Sequence, residues 1–208
     1  MISLEKGQKI SLVKNSEKLD SFYVGAGWDS VANGKSRNID IDVHIYLKSN
    51  GKTIEHLYYL NCFANGIRYS GDNTTGKGSG IDESMHVVLS KINKNIDEVE
   101  LGLNMFSFGV SFAEVQNAFA AVYENPSEYK KGFCIYNLTE SYDSSIVSII
   151  IGRLIKDIST GEWSFAADGT GFNKKLGRKS PYDIHSVSNK DSSGCSSKGG
   201  FFKKIFGR

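Results

Sequence analysis

The sequence predicts a mostly β protein, a two-sheet antiparallel β-sandwich with one or two short helices and a flexible C-terminal tail. Three observations predict it. Several segments alternate apolar and polar residues with period two. Turn signals such as Asn50-Gly51 and Ser159-Thr-Gly-Glu162 separate them. The composition, 12% aromatic with 22 glycines and only two prolines, suits strands joined by tight turns.

The clearest strand is Asn38–Leu47, which places Ile39, Ile41, Val43, Ile45 and Leu47 on one face. Asp40, Asp42, His44 and Tyr46 fall on the other. Asn50-Gly51 closes a hairpin between this strand and Ile54–Asn61. Val87–Leu89 and Phe133–Leu138 are shorter candidates, and Val99, Leu101, Leu103 and Met105 share the face of another strand. Ile146–Ile158 is apolar on both sides, as a central strand would be. It turns through Ser159–Glu162 into an alternating run at Trp163, Phe165 and Ala167. The best helical candidate is Ser111–Phe119.

Composition shifts near Gly177. The reading divides the chain into a globular domain at 1–176, a Ser/Gly-rich flexible linker at 177–200, and a basic, aromatic terminus at 201–208. From Gly177 onward there are seven Lys and Arg against two Asp, whereas the first 176 residues carry 18 basic and 21 acidic residues. A slightly acidic body with a basic tail does not resemble a nucleic-acid-binding domain, and none is expected as a partner. On a short helix Phe201, Phe202, Ile205 and Phe206 would share one face, suited to an anionic membrane, to a groove on a partner, or to the domain itself.

Other classes are excluded by what is missing. The opening MISLEKGQKI has no apolar run of signal-peptide length, so secretion is not expected. No stretch approaches the roughly 20 apolar residues of a membrane span. Cys62, Cys134 and Cys195 are odd in number and far apart, which reads as free thiols in a reducing compartment. His44, His56, His86 and His185 show no zinc-ligand spacing, and no nucleophile elbow is present.

The segment that could carry chemistry is Gly71–Glu83, GDNTTGKGSGIDE. It matches a phosphate-binding loop up to Lys77, but Gly78 stands where a Ser or Thr would hold Mg²⁺. Glu83 lies eleven residues after Asp72, as in an EF-hand, yet Thr74 and Gly76 replace oxygen-rich side chains and no flanking helices appear. What remains is a loop with hard oxygen ligands at Asp72, Asn73, Asp82 and Glu83. Its glycines, Gly76 and Gly78 among them, let carbonyls turn inward. Such a loop either binds Ca²⁺ or is a solvated turn. Asp40 and Asp42 favour the ion. Two apart on a strand, they project from one face roughly 7 Å apart, a like-charge pair that a cation would neutralise.

Gly25-Ala-Gly-Trp-Asp29, Asp40-Ile-Asp42 and Ser70-Gly-Asp-Asn73 occur in that order, followed by Thr75-Gly-Lys-Gly-Ser-Gly-Ile-Asp-Glu83. Together with SLEKGQKISL near the start, Phe112–Phe119, Leu138-Thr-Glu140, Gly161-Glu-Trp163 and Gly169-Thr-Gly171, they resemble the TerD family of tellurium-resistance and stress-response proteins over residues 1 to about 175. The resemblance implies a β-sandwich that binds Ca²⁺ through acids. It assigns Asp40, Asp42, Asp72, Asn73, Asp82 and Glu83 to the metal, with Asp29, Gly76 and Gly78 as weaker candidates. Ile81 departs from the family, which usually has an acid there. The expected function is therefore a cytoplasmic, non-enzymatic Ca²⁺-binding stress protein. It would act on partner proteins of a stress-response complex, or at the inner face of the membrane through its tail. The alternative is a metal-dependent enzyme acting on a phosphoester.

Overall fold

A computed structural model describes residues 1–14, 17–32, 35–36, 38–77, 80–138, 142–174 and 176. Gly78, the 177–200 linker and the Phe201–Arg208 terminus lie outside the described residues. In chain order the strands begin with β1 (Ile2–Leu4), β2 (Lys9–Ser11), β3 (Val13–Lys14), β4 (Glu17–Lys18), β5 (Ser21–Ala32) and β6 (Lys35–Ser36). There follow β7 (Ile41–Ser49), β8 (Lys52–Leu57), β9 (Phe63–Ala64), β10 (Ile67–Tyr69) and β11 (Glu83–Val88). The last five are β12 (Glu98–Met105), β13 (Val115–Tyr123), β14 (Cys134–Asn137), β15 (Ser148–Lys156) and β16 (Trp163–Phe172).

Two sheets form the sandwich. The first runs β1-β14-β13-β5-β11-β10-β9 with β6 on β5, and the second runs β2-β16-β15-β12-β7-β8. Pairing is antiparallel apart from β1, which lies parallel to β14 with Ile2 opposite Cys134. The N-terminal segment thus borders both sheets, because β2 pairs with β16 with Ile10 opposite Phe165.

The period-two pattern builds the core. Phe22, Val24, Ala26 and Trp28 of β5 face inward against Ile41, Val43, Ile45 and Leu47 of β7 and Val99, Leu101, Leu103 and Met105 of β12. Each such side chain contributes about 1.5–3 kcal/mol by leaving water. Asn50 (φ 49°) and Gly51 (φ 73°) both take the left-handed conformation that a two-residue hairpin requires, as Asn-Gly predicts. β15 is buried along both faces over Ser148–Gly152, as the apolar run suggested.

Two expectations are corrected. Ser111–Phe119 is not a helix. After a turn at Phe112–Glu114 it is strand β13, whose Ala118, Ala120 and Val122 point into the core with period two. Register shifts at Gln116–Phe119 break the period-two alternation that would mark this segment as a strand. The short helices are instead 3₁₀ turns at Leu89–Lys91 and Pro126–Lys131. Finally, Cys134 is a buried free thiol, but Cys62 is disulfide-bonded.

Candidate metal centre

The site is built where the two sheets meet at one end. Ile39 just before β7, and Ile41 and Val43 within it, lie in the core, so Asp40 and Asp42 turn the other way. Asp42 stands opposite Asn104 of β12. The segment after β12 then fixes Asp40 from the main chain. The Asp40 carbonyl accepts from Phe106 N (2.9 Å) and Ser107 N (3.2 Å), and the Asp40 amide donates to Ser107 Oγ (2.9 Å).

Residues 70–82 connect β10 to β11 and carry Asp72. Asn73 organises this loop: its Oδ1 accepts from Thr75 N (3.1 Å), Thr75 Oγ1 (2.9 Å) and Gly76 N (3.2 Å). The loop is seated on Trp28, whose Nε1 donates to the Ile39 carbonyl at 3.1 Å. Gly76, at φ +57°, lies so close that a Cβ there would stand 2.2 Å from Trp28 Nε1. Glycine at 76 is therefore a packing and backbone requirement.

The structure sorts the six principal acids and amides into two groups. Ligand oxygens of Asp40, Asp42 and Asp72 lie within 4.8 Å of one another. Oδ1 of Asp72 is buried and takes no hydrogen bond. Burial raises the Asp72 carboxyl above its usual range, because a charged group has lost water. A divalent cation supplies what such an oxygen lacks, and three carboxylates are the donor type that hard cations take. The residues present fit Ca²⁺.

Asp82, Glu83 and Asn73 are hydrogen-bonded into the frame around this cluster. Asp82 Oδ2 accepts from Trp28 N (2.9 Å) and its Oδ1 from Asn73 Nδ2 (2.8 Å). Burial raises the Asp82 carboxyl while these two donors pull it down. Glu83 is only 1% exposed. β8 pairs with β7 only from Ile45 onward, and the buried Val43 amide donates to Glu83 Oε2 at 2.9 Å instead of to a neighbouring strand. The same oxygen accepts from the Tyr69 hydroxyl, and Oε1 accepts from Asn73 N at 2.9 Å. Burial pushes the Glu83 carboxyl up to about 8, although these three donors and their hydrogen bonds oppose the rise.

Asp29 lies on another side of Trp28. It accepts from Asn117 Nδ2 at 2.6 Å and lines a cavity of about 630 Å³ with Phe119 and Asn137. Ile81 packs over Gly25, where a Cβ would stand 2.7 Å from Ile81 Cγ2 and 3.0 Å from the Tyr123 hydroxyl.

Sequence spacing gave no sign of two partners of this site, whereas His44 falls on the same strand face as Asp40 and Asp42. Tyr69 and Ser107 reach Glu83 and Asp40 through the fold, and neither belongs to an acidic motif. His44 and His56, twelve residues apart, share a 2.8 Å ring hydrogen bond across the β7–β8 hairpin, with His44 Nε2 4.0 Å from Asp42 Oδ2. A bulge between the Asn50-Gly51 turn and the rest of the hairpin shifts the register by one residue and places Tyr46 opposite His56, which brings these rings together.

Comparison with known proteins agrees with this architecture. The family model for the TerD domain matches residues 1–178. Stress response protein SCP2 of Bacillus subtilis is 35% identical, over 83% of this chain and 93% of its own length. Tellurium resistance protein TerZ of Serratia marcescens is also 35% identical, over 81% of this chain and 89% of its own. Among solved structures, a homologue of telluride resistance protein (TerD) from Streptomyces coelicolor A3(2) superposes with a TM-score of 0.58 at 17% identity, covering 76% of this chain and 93% of its own. With a family model spanning the whole sandwich and relatives at this identity, the chain belongs to the TerD domain family.

Proposed function

We propose that the chain is a Ca²⁺-binding, non-enzymatic stress-response protein of the tellurium-resistance type. The observation that carries the reading is the convergence of Asp40, Asp42 and Asp72 around a buried Asp72 oxygen without a hydrogen bond. Its relatives' names, a stress response protein and a tellurium resistance protein, support the physiological part. Asp40, Asp42 and Asp72 would hold the ion. Asn73, Asp82 and Glu83 would keep the loop in shape around it. The ion supplies positive charge at an acidic end of the molecule, and the chain's own residues position it.

The protein would act by contact. Binding Ca²⁺ neutralises the acidic end and lets it meet partner proteins or a membrane in the cytoplasm. Phe201–Arg208, basic and aromatic, would add a second, tethered point of attachment to the inner membrane face or to a partner. Among the described residues no helix is long and apolar enough to cross a membrane. Calorimetric titration of Ca²⁺ into the full chain tests the reading. Saturable heat that disappears in Asp72→Ala supports it, and an identical isotherm in the variant overturns it.

A further inference from the structure

Strand alternation gathers a second set of polar groups on the outer face of the first sheet. Trp28, Ala118 and Tyr136 are buried, so Asp29 of β5, Phe119 of β13 and Asn137 of β14 face the other way. Asn137 stands opposite Phe119, and Phe119 opposite Gly27, two residues from Asp29. The bulge in β13 adds Asn117, whose Nδ2 donates to Asp29 Oδ2 at 2.6 Å. Asn117 is held left-handed at φ +52°, a strained state for a non-glycine residue within a strand, and its product is a carboxamide set against a carboxylate. With Leu138 and Gly80 these residues line the cavity of about 630 Å³ at Asp29, and small-molecule sites span about 300–1,000 Å³.

The walls are fixed before any ligand arrives. Phe119 stacks on Tyr129 with ring centroids 5.9 Å apart and planes at 17°. A Cβ at Gly27 would stand 2.0 Å from the Gly80 carbonyl oxygen and 2.6 Å from the Phe119 ring, so glycine there lets floor and wall meet.

Charge decides what the cavity takes. Asp29 is the only charged residue among the described residues that line it. Burial raises the nearby Asp82 carboxyl, and the charge of Asp29 adds to that rise, so the two carboxylates share one field. That field repels an anion, and a neutral solute leaves Asp29 without a countercharge. A bare divalent cation takes about six to eight oxygens in a compact shell and has no use for a phenyl ring and a leucine. An ammonium group on a short carbon chain matches every wall. Its three N–H donors suit the Asp29 carboxylate and the carboxamide oxygens of Asn117 and Asn137. Its chain lies against Phe119 and Leu138, and the ring face attracts the cation.

We propose that this cavity binds a primary alkylammonium ion, with Asp29 as countercharge, Asn117 and Asn137 as further acceptors, and Phe119 and Leu138 as the apolar wall. The site is separate from the three-carboxylate cluster and does not depend on its occupancy.

The test is titration of the full chain in chelator, followed by backbone amide NMR. The probes are n-butylammonium for a free amine, Nα-acetyl-lysine methylamide for a lysine side chain, and 1-butanol as the uncharged analogue. At least one ammonium probe should give saturable shifts at Asp29, Asn117 and Asn137, with a dissociation constant on the order of millimolar, and the tighter of the two names the source. 1-Butanol should bind at least about tenfold more weakly, and Asp29→Asn, which keeps an acceptor for Asn117, should cost the ammonium probe about the same factor. Asn137→Asp should tighten binding, and this exposed substitution together with 1-butanol decides the matter even where Asp29→Asn does not fold. Equal binding of 1-butanol overturns the proposal. So do shifts confined to other parts of the chain, and so does an ammonium affinity that neither variant changes.

Discussion

Asn73 donates from Nδ2 to Oδ1 of Asp82, nine residues further on, at 2.8 Å. Both were candidate ligands, and here they satisfy one another. The bond closes the glycine-rich loop at its two ends, so Asp72 is presented by a loop already shaped. A preshaped loop loses less chain entropy when an ion binds.

Asp72→Asn should separate binding from folding. It removes a carboxylate that burial disfavours and that two others crowd. Ca²⁺ affinity should fall at least about tenfold, whereas the ion-free melting temperature should hold or rise. Titration calorimetry and a melting curve in chelator measure the two effects.

Glu83→Ala should do the reverse. It leaves the Val43 and Asn73 amides and the Tyr69 hydroxyl without their acceptor. Buried donors stranded in this way cost about 1–3 kcal/mol each, softened by water entering the gap. A total near 3 kcal/mol lowers the melting temperature by about 6–12 °C. A loss of Ca²⁺ affinity with unchanged melting would instead make Glu83 a ligand.

Ile81→Asp should leave Ca²⁺ stoichiometry unchanged. The family's usual acid is missing here, but Ile81 lies over Gly25 and beside the Tyr123 hydroxyl. A second equivalent of bound Ca²⁺ in the variant would show that position 81 reaches a metal.

His86 predicts an acid-side effect away from the site. Burial, followed by the charges of Arg68 and Lys91, lowers its pKa below the ordinary value of 6.5. A depressed histidine is stabilising while neutral. Its contribution is complete above pH 6.5 and is lost as pH falls through 6.5 toward the folded value. The effect is modest because the ring is partly in water. Melting temperatures at pH 7.5 and 5.5 should differ less in His86→Gln than in the parent chain, both without Ca²⁺.

Legibility followed the range of the interactions. The β7–β8 and β15–β16 hairpins were readable because Asn50-Gly51 and Ser159–Glu162 are local backbone signals. Asp40 and Asp42 were readable because strand alternation is local as well. β13 was misread because bulges between Val115 and Phe119 break its alternation. The loop acids could be named but not sorted. Whether a carboxylate faces an ion or a stranded amide depends on Val43, Trp28 and Tyr69, which lie 40, 54 and 14 residues from their acid partners. The tie between Ser107 and Asp40 spans 67 residues and left no trace in any motif.

The attachment of β1 to β14 and of β2 to β16 has a consequence for biosynthesis. β1 and β2 are edge strands that leave the ribosome before their neighbours β14 and β16, which end at Asn137 and Phe172. At about 5–20 residues per second, translation leaves them unmatched for roughly ten seconds or more. The β1–β14 pair cannot form until Asn137 has emerged, nor the β2–β16 pair until Phe172 has. A nascent chain stalled before β16 would display an unmatched strand edge, the kind of surface that chaperones shield and that aggregation exploits.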